Sequence, residues 1–455
     1  MKTAVVIGAS MGGLLAARAL HEHFERVVIV ERDRLPESPS SRRCVPQGRQ
    51  LHVLLARGRE ILEELFPGLT AQLAGEGAPI VDLHGEVHWY NDGFLMRRAP
   101  SDLFAVGVSR PLLEHTVRGR VAALPGVSLV TERDVTALVT DGARTTVTGV
   151  VVTPLDGADG ADPAYRMAAD LVVDAGGRAS RSPHWLRELG YAAAPEDVVR
   201  VDLTYVTRLY EHTPEHLDGM SGVLANAVPG NPRAAIAAAV EGGRVAVALN
   251  GMLGLQPPTD DAGMAEFADA LPAPHFARII RSARPVGPPF LMRYPGSVRR
   301  RYERLRRFPA GFLVFGDALC SFNPIYGQGM TVAALEARLL ASNPRMPARR
   351  FFRAAARIVD GPWSIAVGTD LRFPEVSGPR SARVRFVNWF VHRLHAAATR
   401  DEVLGAAFVR VLNLVRPPTS LLAPDIVRRV LAARPLRTAT VRAESASAGR
   451  PAGGR

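Results

Sequence analysis

The chain holds 455 residues, 47% of them hydrophobic, enough for two or three units with real cores. Its formal net charge of +12 would suit a polyanionic partner, but Lys2 is the only lysine, and the densest arginine run, residues 299 to 307, is broken by Tyr302 and Glu303; that run reads as a solvated, partly ion-paired face, with an acidic partner or lipid surface as the alternative, and nucleic-acid binding is not expected. Cys44 and Cys320 stand far apart, in no CxxC pair and without histidines at ligand spacing, so neither a disulfide framework nor a metal site is expected.

From Ala4 the chain enters an apolar run directly, without a charged leader, and no apolar stretch reaches the roughly 20 residues that span a bilayer. A cytoplasmic protein is expected. Residues 3 to 31 read as strand, glycine-rich corner, helix and strand, a βαβ unit. Helical spacing resumes over 51 to 66, and another helix is predicted from Arg110 through LLEHTVRGRVAAL. The β-branched runs VSLVTERDVTALVT, TTVTGVVVTPL and DLVVDAGG predict a meander that returns to the first sheet. Residues 184 to 300 mix strand-like segments with proline-rich loops, which predicts a second sheet facing a substrate, joined by a short insert at 82 to 104.

The dinucleotide-type pattern comes back at GFLVFGDA, so the first domain is predicted to be discontinuous. The expected fold is α/β: a Rossmann-like cofactor domain over 1–81, 105–183 and 308–345, a β-sheet substrate domain over 82–104 and 184–307, a C-terminal helical region over 346–435, and a disordered tail over 436–455. Within the helical region, VRFVNWFVHRLHAAA sets apolar and Arg/His residues on different faces. Such a helix either covers a domain or makes a peripheral membrane contact.

Two motifs carry chemistry. The corner Gly8-Ala9-Ser10-Met11-Gly12-Gly13 follows a strand and opens a helix: Gly8 permits the tight turn, Ser10 is small enough for backbone to approach a pyrophosphate, and Gly13 allows close helix packing. About 20 residues on, Glu31 ends the second strand, where a carboxylate accepts hydroxyls of an adenosine ribose. Far downstream, GFLVFGDALCSFNPIYGQGM puts Asp317 after a strand, then Pro324, then Gly327-Gln328-Gly329-Met330 at a helix start. A carboxylate there can hold a ribityl hydroxyl, and the helix N-terminus can aim N–H groups at a flavin ring.

In this order and separation the motifs resemble the FAD-dependent monooxygenases of the aromatic-hydroxylase and squalene-epoxidase superfamily, over roughly residues 3 to 345. ERDRLP, RRCVPQGRQLHVLL, SRPLLE and FNPIYGQGM look most like actinobacterial polyether epoxidases, with a weaker likeness in DGPWSIAVGTDLRFP. The resemblance implies FAD as cofactor, with Gly8, Ser10, Gly12, Gly13 and Arg110 at its phosphates, Glu31 and Arg32 at the adenosine, and Val135 beside it. It implies Asp317 at the ribityl or pyrophosphate end, and Arg49, Pro324, Gly327, Gln328, Gly329 and Met330 near the flavin. Gln47 and Arg49 match a family stretch in which Gln50 replaces a histidine and His52 remains. The family's Asp-Gly pair before a serine maps onto Gly176-Gly177-Arg178-Ala179-Ser180, with Asp174 displaced by two residues. A histidine often found after the second motif is Cys320 here, so it carries no proton-relay role.

The chemistry so implied is oxygen transfer from a flavin C4a-hydroperoxide to an apolar polyketide, terpenoid or aromatic metabolite, by epoxidation or hydroxylation, with NAD(P)H supplying electrons directly or through a separate flavin reductase. No acid or base is assigned: the flavin carries the reaction. The alternatives are an FAD-dependent reductase of isoprenoid double bonds, or a non-catalytic, membrane-associated flavoprotein. A flavin-dependent halogenase is disfavoured, because no WxWxIP segment occurs and Lys2 is no candidate for the family lysine.

Overall fold

The computed structural model describes residues 2–155 and 164–433. The tail expected over 436–455 lies outside them. β1 (Thr3–Ile7), α1 (Met11–His21) and β2 (Arg26–Val30) form the predicted βαβ unit. Ala4, Val5 and Val6 are fully buried, as a central parallel strand covered on both faces requires. Gly8 sits at φ +97°, and a Cβ on Gly13 would lie 1.7 Å from the Gly8 carbonyl oxygen, so only glycine allows both the turn and the strand-to-helix contact.

α2 (Ala56–Leu65) and α3 (Leu69–Gly75) follow. The helix predicted over 51 to 66 therefore starts five residues late. Its first turn is given up because Leu54 makes an antiparallel bridge to Val106, which holds residues 51–55 extended. β3 (Ile80–Asp82) pairs with β6 (Phe104–Val106), and between them lies the hairpin of β4 (Val87–Asn91) and β5 (Phe94–Leu95).

α4 (Arg110–Ala122) is capped by the Ser109 hydroxyl and has Pro111 in its first turn, two start signals in succession. β7 (Val127–Val130) joins the first sheet beside β2. β8 (Arg133–Thr140), β9 (Val147–Pro154) and β10 (Tyr165–Ala168) instead make a three-stranded antiparallel sheet of their own, and only β11 (Leu171–Asp174) returns to pair with β1. α5 (Ser182–Glu188) then leads to a long, twisted sheet.

That sheet is built from β12 (Glu196–Glu211), β13 (Gly222–Ala225), β14 (Arg233–Val240) and β15 (Arg244–Gly251), followed by α6 (Asp261–Asp269), α7 (His275–Ser282) and β16 (Pro285–Arg300). Four prolines in β16 are tolerated because β18 (Cys320–Ser321) pairs only with its last turn of residues, Val298 and Arg299, leaving most of that edge free. The hairpin β4–β5, from the predicted insert, adds the last two strands, giving the order β18-β16-β12-β15-β14-β13-β4-β5. β17 (Phe312–Val314) closes the other sheet, β17-β11-β1-β2-β7, every pairing of which is parallel.

α8 (Gly329–Ser342) packs on α1 and α2, and its buried alanines let the helices approach closely. α9 (Ala348–Asp370), α10 (Ala382–Ala398), α11 (Glu402–Leu412) and α12 (Pro424–Ala432) complete the described residues, and Phe390, Leu394, Leu404 and Val430 place the last three in one core cluster with Trp89 and Met96 of the hairpin region. No described helix is long and apolar enough to cross a membrane.

Candidate cofactor and substrate cavity

One cavity of about 790 Å³ runs from the glycine corner to the C-terminal helices. At one end stands the N-terminus of α1. Its N-cap, Ser10, makes no capping bond, because its hydroxyl donates to Glu114 Oε2 (2.8 Å) and accepts from Arg110 Nη2 (2.7 Å). Further along stands the N-terminus of α8, whose N-cap Gln328 is likewise uncapped by its side chain. The Gln328 amide is buried, and neither its Oε1 nor its Nε2 has a partner among the described residues. A helix start leaves N–H groups without intrahelical partners and carries the positive end of the dipole. Ser10, Met11, Gly12, Gln328, Gly329 and Met330 all line the same space.

Arg110 and Asp317 line the same space, as do Pro324 and Gly327 of the loop before α8. Burial raises the Asp317 carboxyl above its ordinary value, and the charges of Arg110 and Arg178 pull it back. A carboxylate so enclosed favours donors that approach through the cavity. Arg110 is itself buried, paired with Glu114 at 3.3 Å. Glu114 also receives Arg42 (2.6 Å), whose guanidinium reaches Asp33, Glu31 and the Ala9 carbonyl. This knot of Arg42, Asp33 and Glu114 braces the corner. The Glu114 part was readable: it follows Arg110 by four residues on one helix face.

Several predicted site residues lie off the cavity. Gly8 and Gly13 stand behind the corner, where they shape it. Glu31 was expected to face an adenosine ribose, but its carboxylate accepts from the Ala9 and Asp33 amides (2.6 and 2.9 Å) and sits 3.3 Å from Arg42; it holds the corner to the end of β2. Arg32 is exposed beside Asp134 (3.7 Å). Arg49 stacks over Phe290, 5.1 Å from the ring centre, instead of reaching the cavity. The Val135 side chain belongs to the core, because β8 turns it inward.

Gln47 lines the cavity, and Gln50 does so while bonding Thr207 and the Phe290 carbonyl (3.2 Å), which ties the extended stretch to the large sheet. His52 takes Nδ1 to the Gln50 carbonyl at 2.9 Å, and burial together with Arg110 depresses its pKa to about 4. It is a neutral imidazole. In the third motif Asp174 accepts from the Gly176 amide (2.8 Å), from Ser180 Oγ (2.6 Å) and from Ser182 Oγ. Arg178 from this loop lies over Tyr294, 4.4 Å from the ring centre, and enters the cavity.

The opposite wall is the face of the large sheet, with Tyr205, Ala234, Ile236 and Met292, and the roof is helical, with Ile365, Val391 and Leu412. One polar pair was missed from sequence. Tyr326, on the cavity wall, donates its phenol to Asp370 Oδ1 at 2.8 Å, and Asn323 donates to the same oxygen at 3.1 Å. Asp370 is fully buried, its Oδ2 without a partner among the described residues, and burial lifts its carboxyl to about 7. The only sequence signal was an acidic residue within a segment resembling the epoxidases.

Asp92 in the β4–β5 turn binds Arg372, His392 (3.1 Å) and His395 (2.8 Å), so the hairpin anchors α10 over the cavity. Elsewhere His88, Asp218 and His275 bring possible metal-ligand atoms within 4.8 Å of one another. The two rings stack at 4.7 Å, and the Asp218 oxygens already bond Arg278 (2.5 Å) and His275 (2.8 Å), which makes this a packed ion-pair cluster.

No family model matches the chain. Protein Rv3254 of Mycobacterium tuberculosis (strain ATCC 25618 / H37Rv) is 34% identical over 446 residues, spanning 94% of this chain and 93% of its own. This chain belongs to the family of Protein Rv3254. Solved structures give the Rv3254 family, through this chain, a known fold. A flavoprotein/dehydrogenase from Cytophaga hutchinsonii aligns with TM-score 0.64 at 16% identity over 94% of this chain and 96% of that one. PqsL, a probable FAD-dependent monooxygenase from Pseudomonas aeruginosa, aligns with TM-score 0.57 at 18% identity over 89% and 98%. The flavin-dependent brominase Bmp2 gives 0.57 at 16% over 94% and 92%. At such identities the likeness is one of fold: the α/β architecture of FAD-dependent monooxygenases, with added C-terminal helices.

Proposed function

We propose that this protein is an FAD-dependent monooxygenase that places one oxygen atom on an apolar polyketide, terpenoid or aromatic metabolite. The observation that carries the reading is that two uncapped helix N-termini, of α1 and α8, open onto one cavity whose far wall is apolar. When bound there, FAD supplies the redox chemistry: reduced by NAD(P)H, directly or through a separate reductase, it activates molecular oxygen, of which one atom enters the product and the other leaves as water.

The residues fit the cofactor. The first turn of α1 and Arg110 would take the pyrophosphate, and Asp317 a ribityl hydroxyl. The first turn of α8 would meet the carbonyl side of the flavin ring, with the unpartnered Gln328 amide beside it. The wall of Tyr205, Ala234, Ile236 and Met292 would exclude water from the reacting substrate, which suits an electrophilic oxygen-transfer step. Tyr326 offers that wall a phenol whose proton is shared with Asp370.

The test is the purified protein with NAD(P)H, candidate metabolites and isotopically labelled oxygen. Retained FAD, one labelled oxygen in the product and no turnover under anaerobic conditions are expected. A colourless protein that does not rebind FAD overturns the reading. Anaerobic turnover would replace it with the isoprenoid-reductase alternative.

A further inference from the structure

We propose that α10 and the cavity mouth form a docking surface for an anionic lipid bilayer, from which the apolar substrate enters. The inference rests on the proposed use of an apolar metabolite and adds where that metabolite is collected. Phe386 and Val387 are 50% and 40% exposed and yet line the cavity, as does Leu422 at 44%. Residues that are both outer surface and cavity lining mark the opening, so the mouth is rimmed by apolar side chains. An opening used for a water-dissolved ligand has no need of such a rim, and contiguous exposed apolar surface is costly unless something covers it.

Beyond the rim the patch continues. Trp389 is 49% exposed and lies tilted against Phe386 with ring centres 5.8 Å apart. The hairpin brings Phe94 to 5.8 Å from His392, which places the exposed Leu95 beside the same helix. Charge decides the occupant. α10 contains no Asp or Glu; Arg383 and Arg385 are exposed at its start, and the Arg393 guanidinium lies 5.6 Å from the Trp389 ring centre. The acidic residue facing this helix from the hairpin, Asp92, is buried and already spent on Arg372, His392 and His395. Aromatic rings flanked by arginines on one face of a helix lying flat are the pattern of an interfacial helix, whose cations meet anionic headgroups while the rings enter the acyl boundary.

The experiment is co-sedimentation of the full-length holoprotein with vesicles of phosphatidylcholine alone or mixed with phosphatidylglycerol, at low and high salt. The test variants are Trp389→Ser and Arg385→Glu, neither of which lines the cavity. Binding to the anionic vesicles is expected, weakened by salt and by about fivefold or more in Arg385→Glu, and weakened also in Trp389→Ser, with far-UV circular dichroism unchanged. Absence of binding to anionic vesicles at low salt overturns the proposal, as does equal binding by the wild type and both variants. A concentration-dependent dimer that Trp389→Ser abolishes would overturn it too, by assigning the face to a second copy. FAD retention is read from the same samples, so a colourless protein that still binds vesicles fails the oxygenase reading alone.

Discussion

Arg110 Nη2 donates to Ser10 Oγ at 2.7 Å, which joins the first turn of α4 to the N-cap of α1 across 100 residues of chain. The same guanidinium borders the cavity, so it can serve the corner and an anion together. Arg110→Ala is expected to lower FAD affinity by about 10- to 100-fold, the worth of one charge-assisted contact of roughly 1.5–3 kcal/mol. Titration of the apoprotein by flavin fluorescence quenching reads this directly. Unchanged affinity would remove Arg110 from the phosphate site.

Neighbouring glycines are predicted to fail in different ways. A Cβ at Gly13 meets the Gly8 carbonyl at 1.7 Å, so Gly13→Ala forces α1 away from β1 and should give insoluble or cofactor-free protein. At Gly12 the nearest atoms stand at 3.9 Å, so Gly12→Ala should fold with a wild-type melting temperature. Its methyl group projects from a residue that lines the cavity, and FAD affinity should fall while stability holds.

Glu336, fully buried on α8, accepts the Gly316 amide at 2.7 Å and leaves Oε1 without a partner among the described residues. Burial raises its carboxyl to about 8, from an ordinary 4.5. The folded state therefore holds a proton that the unfolded chain releases, and stability falls as pH rises between about 4.5 and 8, by at most about 5 kcal/mol. Glu336→Gln keeps the acceptor and removes the titration. Its melting temperature should be flatter than the wild type's across that window, and an identical profile would show that another group sets the slope.

Asp92 is buried, which by itself would raise its carboxyl, but hydrogen bonds from His392 and His395 and the charge of Arg372 hold it below the ordinary value. Asp92→Asn leaves Arg372 without its counter-charge, a change expected to cost about 3 kcal/mol. Hydrogen exchange should quicken in α10 ahead of α1 and α8. Uniform acceleration would mean that the hairpin anchors the whole molecule and not the roof alone.

What was legible in the sequence followed from local geometry. Gly8 and Gly13 could be named because a turn and a close helix contact exclude side chains there, and Asp317 and Gly327 because a strand end and a helix start were close in sequence. Arg110 was reached through its helix start. The rest depended on chain segments that meet only in three dimensions: Tyr326 finds Asp370, Gln50 finds Thr207, and Arg42 finds Glu114. Glu31 shows the same limit. Its position at a strand end fitted a ribose, while Arg42 and two amides, invisible to spacing, claimed its oxygens. The late start of α2 likewise came from Val106, a partner more than 50 residues away.

The anchoring of α10 by Asp92 has a consequence for how the protein is made. Asp92 is synthesised early, and its partners Arg372, His392 and His395 appear about 300 residues later. On a ribosome the glycine corner and the hairpin can fold while the roof does not yet exist. A nascent or C-terminally clipped chain would thus leave the cavity open to solvent, where the flavin proposed above, once reduced, would lose its electrons to oxygen. Hydrogen peroxide released without product should report such unfinished molecules.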